Sequence, residues 1–384
     1  MIARLIAWSA RNLLLVFFGA GFAAAAGVYA LAHLPLDAIP DLSDTQVIVY
    51  TEYPGQAPQV IEDQVTYPLT TAMLTVPRSK VVRGFSFFGV SFVYVIFEDG
   101  TDIYWARSRV LEFLNGAASR LPAGVTPTMG PDATGVGWVY QYAVMSKELN
   151  LADSRAIQDW NLKFALAKAE GVAEIASVGG FVRQYNVILD PHRMRDLGIT
   201  MPKMRDAIRA SNADVGGRTV ELSEFEYVIR GKGYLKGIND LGNIVLKTNN
   251  GTPVLLRDIA RDELGPDERR GITDLTGEGE VASGIVLQRF GVNALDVIEN
   301  VKKRFKEIAS SLPGSTEIVA VYDRSMLINA AIETLKRTLL EESLVVALVC
   351  IVFLLHFRSA LVAIIMLPVG ILMAFGTKIG RAHV

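Results

Sequence analysis

Apolar residues run almost without interruption in three places along this chain. The first stretch covers residues 13–34; two more, 343–357 and 359–377, follow one another near the other end. A helix needs roughly 20 apolar residues to cross a bilayer core about 30 Å thick. The first stretch meets that length, the third nearly does, and the second does so once Leu339 and Leu340 are counted. The pattern predicts three membrane helices, with a large body of mixed polarity lifted between the first and the second. Arg4 and Arg11 precede the first span and Arg358 sits in the turn between the other two. All three fall on the inner side if the first span runs outward, which puts the polar body outside. A signal peptide is the competing reading of the first stretch, but its length and the two later spans favour an uncleaved anchor.

Between the spans the periodicity alternates between 2 and 3.6. Residues 46–53 alternate as a strand and stop at Tyr53-Pro54-Gly55; residues 57–74 read as a helix through Val60, Val65, Leu69 and Met73. Two β-rich runs, 81–87 and 90–97, break at Gly89, and residues 102–121 form a second helix with Trp105, Val110, Leu111 and Leu114 on one face. A short strand at 126–129 closes a β-α-β-β-α-β order, the ferredoxin-like split unit. A second copy begins near Trp138: strand 139–145, helix 153–169, strand 173–190, then strand 280–290, helix 294–312 and strand 317–322. The second helix of each copy ends alike, in Ser119-Arg-Leu-Pro122 and Ser310-Ser-Leu-Pro313. An insertion over residues 191–266, richer in Gly, Asn and short strands, interrupts the second copy. The fold class expected is therefore an α+β membrane protein: transmembrane helices carrying two βαββαβ subdomains and one inserted module.

Composition narrows the chemistry. The formal net charge of −2 gives no footing for a nucleic acid, and no basic run tracks a phosphate backbone. The single cysteine, Cys350, lies in the second apolar stretch, which rules out internal disulfides and Cys-rich metal centres. No nucleophile elbow, Walker loop or His-Glu-x-x-His pattern occurs. Residues 277–282 match a dinucleotide fingerprint in letters only, since strand follows and Glu278 and Glu280 would repel a pyrophosphate. The four histidines, His33, His192, His356 and His383, are scattered. Met194, Met201 and Met204 form a loose thioether cluster suited to a soft ion such as Cu(I) or Ag(I). Ordinary packing of a helical face with Ile208 explains them as well. Glu341 and Glu342 open the second span at its interface, and no acidic residue lies within a span.

Several motifs make the chain specific. They are Pro35-Leu-Asp-Ala-Ile-Pro-Asp-Leu-Ser-Asp44, Tyr53-Pro-Gly-Gln-Ala-Pro58, Val65-Thr-Tyr-Pro68, Phe97-Glu-Asp-Gly-Thr-Asp102 and Tyr104-Trp-Ala-Arg-Ser-Arg109. Gly130-Pro-Asp-Ala-Thr-Gly-Val-Gly137 and Val321-Tyr-Asp-Arg-Ser325 extend them. With these the chain closely resembles the resistance–nodulation–division (RND) permeases, in particular the heavy-metal efflux branch (CusA/CzcA type), and leans to its copper and silver members. The resemblance implies a proton-driven metal cation antiporter of the bacterial inner membrane rather than an enzyme. It also implies a homotrimer docked to a periplasmic adaptor protein and an outer-membrane channel, with no cofactor beyond the transported ion. On that template, residues 1–34 are a tail and the first span, and 35–132 the first periplasmic porter subdomain. Residues 133–190 and 267–338 are the halves of the second, and 191–266 the inserted docking module. Residues 339–357 and 358–376 are the second and third spans. The family's proton-relay carboxylates and its methionine site fall beyond this chain. One position carries over: Arg83 stands where copper and silver members place an arginine near the periplasmic cleft. Glu268 stands where a copper or silver relative can carry a methionine. Residues 379–384 read as a translated adapter rather than gene sequence, so an N-terminal fragment with an artificial tail over 377–384 is expected. A multidrug-type permease and a non-transporting accessory membrane protein are the alternative readings.

Overall fold

The computed structural model describes residues 2–32, 37, 39–249, 251–267, 269, 271–313, 316–354, 362, 364, 366 and 368–374. The chain divides into two units: one comprises Met1–Ala143, Asn161–Ser177 and Gly284–Val384, the other Val144–Trp160 and Val178–Ser283.

In the first unit, strands Gln46–Glu52, Ser79–Phe87, Val90–Phe97 and Pro127–Met129 make an antiparallel sheet. Their spatial order is second, third, first, fourth. Alternation sends Val47, Val49, Val93, Val95 and Phe97 to one face, where they meet Ile61, Val65, Leu69 and Met73 of one helix and Ile103, Ala106, Val110 and Leu114 of another. The second of these, Ile103–Ala118, starts where the Asp102 carboxylate accepts the Trp105 N–H at 2.7 Å. The first helix is not uniform. Residues Pro58–Ile61 and Tyr67–Met73 are α-helical, and Glu62–Thr66 between them widens into a π-turn, with the Tyr67 N–H donating to the Glu62 carbonyl. Pro68, just past the widened turn, has no N–H to offer the ladder. The widened turn brings Thr66 inward, where its hydroxyl lies 2.8 Å from both Ser86 Oγ and Ser91 Oγ. Gly84 makes that approach possible, because a Cβ there would stand 2.4 Å from Thr66 Cγ2.

A second sheet repeats the order. Its strands run Thr316–Asp323, Trp138–Ser146, Ala282–Gln288, Val172–Gly179, which is fourth, first, third, second of the second copy. The first helix of this copy, from Leu151 to Leu166, also carries a π-turn, Gln158–Leu162. The second, Ala294–Ile308, buries Val297, Ile298 and Val301, and its Phe305 meets Tyr142 edge-on with ring centres 4.9 Å apart. The strand expected over 173–190 is two strands. Val172–Gly179 stays in this sheet, while Arg183–Leu189 pairs with Ala260–Pro266 in the second unit.

The second unit holds a small core of Met194, Ile199, Met204, Leu241, Ile244, Leu246, Leu256 and Ile259. Strands Val215–Leu222 and Phe225–Gly231 form a hairpin that pairs with no third strand among the described residues. Asp214 fastens its base, accepting from Arg230 Nε at 2.8 Å and from the Gly233 N–H at 2.9 Å.

Helix Leu13–Ala32 contains the one described helix segment, Leu13–Ala30, long and apolar enough to cross a membrane. The other two expected spans fall partly on residues outside the described set. Helix Arg324–Leu354 runs 31 residues and enters the second apolar stretch with no break at Leu339. Gly27 is buried on the first span, and a Cβ there would stand 2.3 Å from the Leu372 carbonyl oxygen. Small residues allow such backbone approach between membrane helices.

Candidate functional site

Arg83 lies on strand Ser79–Phe87, opposite Tyr94 in register, on the face of the first sheet turned away from its helices. Here alternation works against burial: Phe85, Phe87 and Phe92 occupy the same outward face as Arg83. Phe85 meets Tyr94 edge-on at 5.4 Å, and Phe87 meets Phe92 at 5.9 Å. With Gln46 and Ile96 these side chains line a cavity of about 480 Å³. Phe85 and Phe87 remain 47% and 55% exposed, a costly state for aromatic side chains on one face of a sheet. Arg83 has no ion-pair partner among the described residues and is the one cation on the cavity wall. An aromatic wall with one free guanidinium suits a binding or packing face and offers no nucleophile or general base.

A second cluster sits where the first membrane helix, the two sheets and the helix to the second span meet in sequence. Arg324, the first residue of helix Arg324–Leu354, is 3% exposed. Its guanidinium donates to Asp37 Oδ2 at 3.0 Å, to the Val136 carbonyl at 2.6 Å and to the Trp138 carbonyl at 2.9 Å. Its Nε is buried without a partner. Asp41 accepts from Thr134 Oγ1 at 2.6 Å and the Ser43 N–H at 3.0 Å. Partial burial works to raise the Asp41 carboxyl, but these hydrogen bonds and the Arg324 charge outweigh it and hold it below the usual aspartate range. Asp323 behaves alike: burial opposes ionisation, while Lys302 at 2.5 Å and Ser325 Oγ at 2.6 Å outweigh it and lower the carboxyl. The connector 130–137 is also held from the first sheet's side. Arg107 donates to the Gly130 carbonyl at 2.8 Å, and the Tyr104 hydroxyl to Asp132 Oδ2 at 3.1 Å. The motifs at 35–44, 104–109, 130–137 and 321–325 therefore converge on one polar junction. Each motif is visible in the sequence, but the junction is not, because only a fold brings segments 287 positions apart together.

The remaining sequence candidates separate. Met194 and Met204 are buried in the core of the second unit, whereas Met201 is 56% exposed, so packing accounts for the cluster. His192 is exposed beside the Asp190 cap of helix Pro191–Asp196; His33, His356, His383 and Glu268 lie outside the described residues. Residues 274–280 form a tight turn closed by an Asp274–Glu280 bridge and lead into strand, with no helix to receive a phosphate. Glu341 is exposed and pairs with Arg337 at 2.8 Å, and Glu342 is exposed. Cys350 falls on helix Arg324–Leu354. Among the described residues no group of three or more His, Cys, Asp or Glu is placed to hold a metal ion.

The profile of the AcrB/AcrD/AcrF family matches residues 10–378. The chain belongs to that family. Among curated relatives, it is 55% identical over 378 residues to the cation efflux system protein CusA of Escherichia coli K12, covering 98% of this chain and 36% of that protein. It is 54% identical to the putative cation efflux system protein SilA of Salmonella typhimurium, with the same coverage. Identity falls to 34% for the cobalt-zinc-cadmium resistance protein CzcA of Cupriavidus metallidurans, over 98% of this chain and 36% of that one. The crystal structure of a heavy metal efflux pump superposes with a TM-score of 0.88 at 32% identity, covering 99% of this chain and 38% of that chain. The chain thus spans little more than a third of the length of these relatives, and it has the permease fold of the family. The family that the motifs indicated is the one found.

Proposed function

We propose that this chain is the leading part of an inner-membrane, proton-driven permease that exports a heavy-metal cation, with monovalent copper or silver as its cargo. The observation that carries the reading is the graded identity: 55% to CusA and 54% to SilA against 34% to the cobalt-zinc-cadmium protein. Each sheet with its two helices is read as a ferredoxin-like porter subdomain, and residues 191–266 as a docking module. The protein is multi-pass, its polar body is periplasmic, and Arg83 with its aromatic neighbours faces the periplasmic cleft. It works as a homotrimer with a periplasmic adaptor and an outer-membrane channel. The hairpin Val215–Gly231 supports the trimer. Val215, Phe225, Tyr227, Val228 and Ile229 are all exposed, and a two-stranded hairpin alone is marginal in water. A neighbouring copy supplies the missing cover.

The test is expression of the full-length gene in a host lacking its own copper and silver export. Restored growth on copper and silver, with none on cobalt, zinc or cadmium, is the expected result. Tolerance confined to divalent ions would overturn the cargo. Tolerance confined to organic dyes would favour a multidrug-type permease, for which the aromatic wall around Arg83 is the supporting feature.

A further inference from the structure

Ahead of the first spanning helix, the ten residues Ile2–Arg11 form a helix of their own. Asn12 stands between the two, and its side-chain amide donates to the Trp8 carbonyl at 2.9 Å, closing the end of the short helix. The following helix, Leu13–Ala32, has 20 residues. At about 1.5 Å each these already match a hydrocarbon core about 30 Å thick. If Leu13–Ala32 fills the core, the short helix falls outside it. Its sequence is of another kind too. The spanning helix is apolar all round, whereas the 3.6-residue period sets Ile2, Leu5 and Ile6 on one side of the short helix. Arg4 and Arg11, seven positions apart, share the opposite side, and Trp8 stands between the sides. Ile6 is 63% exposed, Trp8 54%, and both arginines are exposed with no acidic partner among the described residues. Residues 1–36 contain no Asp or Glu.

We propose that helix Ile2–Arg11 lies in the plane of the leaflet at which the chain enters the bilayer. Its apolar side rests in the acyl boundary, and Arg4 and Arg11 bind the phosphates of anionic phospholipids. Two features select a lipid surface as the occupant. The helix is one residue from a segment already in the bilayer, and its two faces match the two layers met there, hydrocarbon edge and anionic headgroup. Trp8 falls at the boundary that tryptophan favours. The proposal rests on the membrane-spanning reading of Leu13–Ala32.

Trp8 is a built-in probe, since Trp105, Trp138 and Trp160 lie on elements of the polar body. The full-length protein and its Trp8→Phe variant are reconstituted in mixed phosphatidylcholine and phosphatidylglycerol vesicles, with either lipid brominated, and the difference in emission isolates Trp8. Trp8 should be quenched in both, and more strongly when the phosphatidylglycerol carries the bromine. The Arg4→Gln/Arg11→Gln variant should keep the quenching and lose the preference; each arginine is expected to give about fivefold local enrichment of anionic lipid. An unquenched Trp8 in protein that resists alkaline extraction overturns the in-plane helix while leaving the span intact. Equal quenching by the two lipids, unchanged by the substitutions, overturns the arginine–phosphate contact. Release of the protein by alkaline carbonate would remove the spanning reading, and the proposal with it.

Discussion

Arg324 carries more of the structure than any other single side chain at the junction. It is a buried charge that ties Asp37, Val136 and Trp138 to the start of a 31-residue helix. Removing one member of a buried, hydrogen-bonded ion pair leaves the other uncompensated, at a cost of about 3–5 kcal/mol. Arg324→Ala should therefore lower the thermal midpoint of the purified protein well below that of Arg324→Lys, which keeps the charge and loses the fork. Equal midpoints for Arg324→Ala and the parent protein would remove the junction's structural role. The neighbouring carboxylates predict a pH dependence. Asp41 and Asp323 both titrate below their ordinary value of 3.8. A folded-state value below the unfolded one means that their contribution is complete above 3.8 and is lost as the pH falls through the lowered values. In melts across acidic pH, the Asp41→Asn/Asp323→Asn variant should start less stable near neutrality and lose less on acidification. A parallel loss in both proteins would contradict the assignment.

At the level of elements, local chemistry explains most boundaries. Asp102 starts one helix and Asn293 another, each by accepting an N–H of the first turn. The π-turn Glu62–Thr66 delivers Thr66 to Ser86 and Ser91, and the second copy repeats such a turn at Gln158–Leu162. The hairpin Val215–Gly231 behaves differently, since no described residue of its own unit buries Val215, Phe225, Tyr227, Val228 or Ile229. Replacing residues 215–231 by a short Gly-Ser link should leave the secondary structure of the rest unchanged and convert the full-length protein from the proposed trimer to monomer in native mass measurements. A persistent trimer would show that the arm is dispensable for assembly. Its base predicts a milder effect at low pH. The Gly233 N–H first, and then Arg230, hold the Asp214 carboxyl below its usual range, so the clasp is complete at neutral pH and loosens only in acid.

Across the whole molecule, the open aromatic face of the first sheet is the feature that export depends on in the proposed reading. Arg83 supports no core and pairs with no described acid, so Arg83→Glu should leave folding and trimer content unchanged. Metal tolerance conferred by the full-length protein should fall about tenfold, which corresponds to a change of about 1.4 kcal/mol in the interaction of the inverted charge with a passing cation. Undiminished copper and silver tolerance with Arg83→Glu would take Arg83 out of the pathway. A fall in trimer content would reassign it to assembly.

The sequence by itself determined whatever depends on local period and local capping. The alternating runs became strands, the 3.6-residue runs became helices, and the two β-α-β-β-α-β orders recur in the two sheets. It also carried the family, through motifs that need no structure to be noticed. Only the tertiary structure decided which of those segments meet. A period-2 run is equally suited to either sheet, so nothing local assigns Arg183–Leu189 to Ala260–Pro266 rather than to the strand before it. Met194, Met201 and Met204 are close in sequence, yet packing buries two and leaves one exposed. Asp37 and Arg324 are 287 positions apart, and their meeting is fixed by chain path and burial, quantities that no window of sequence contains.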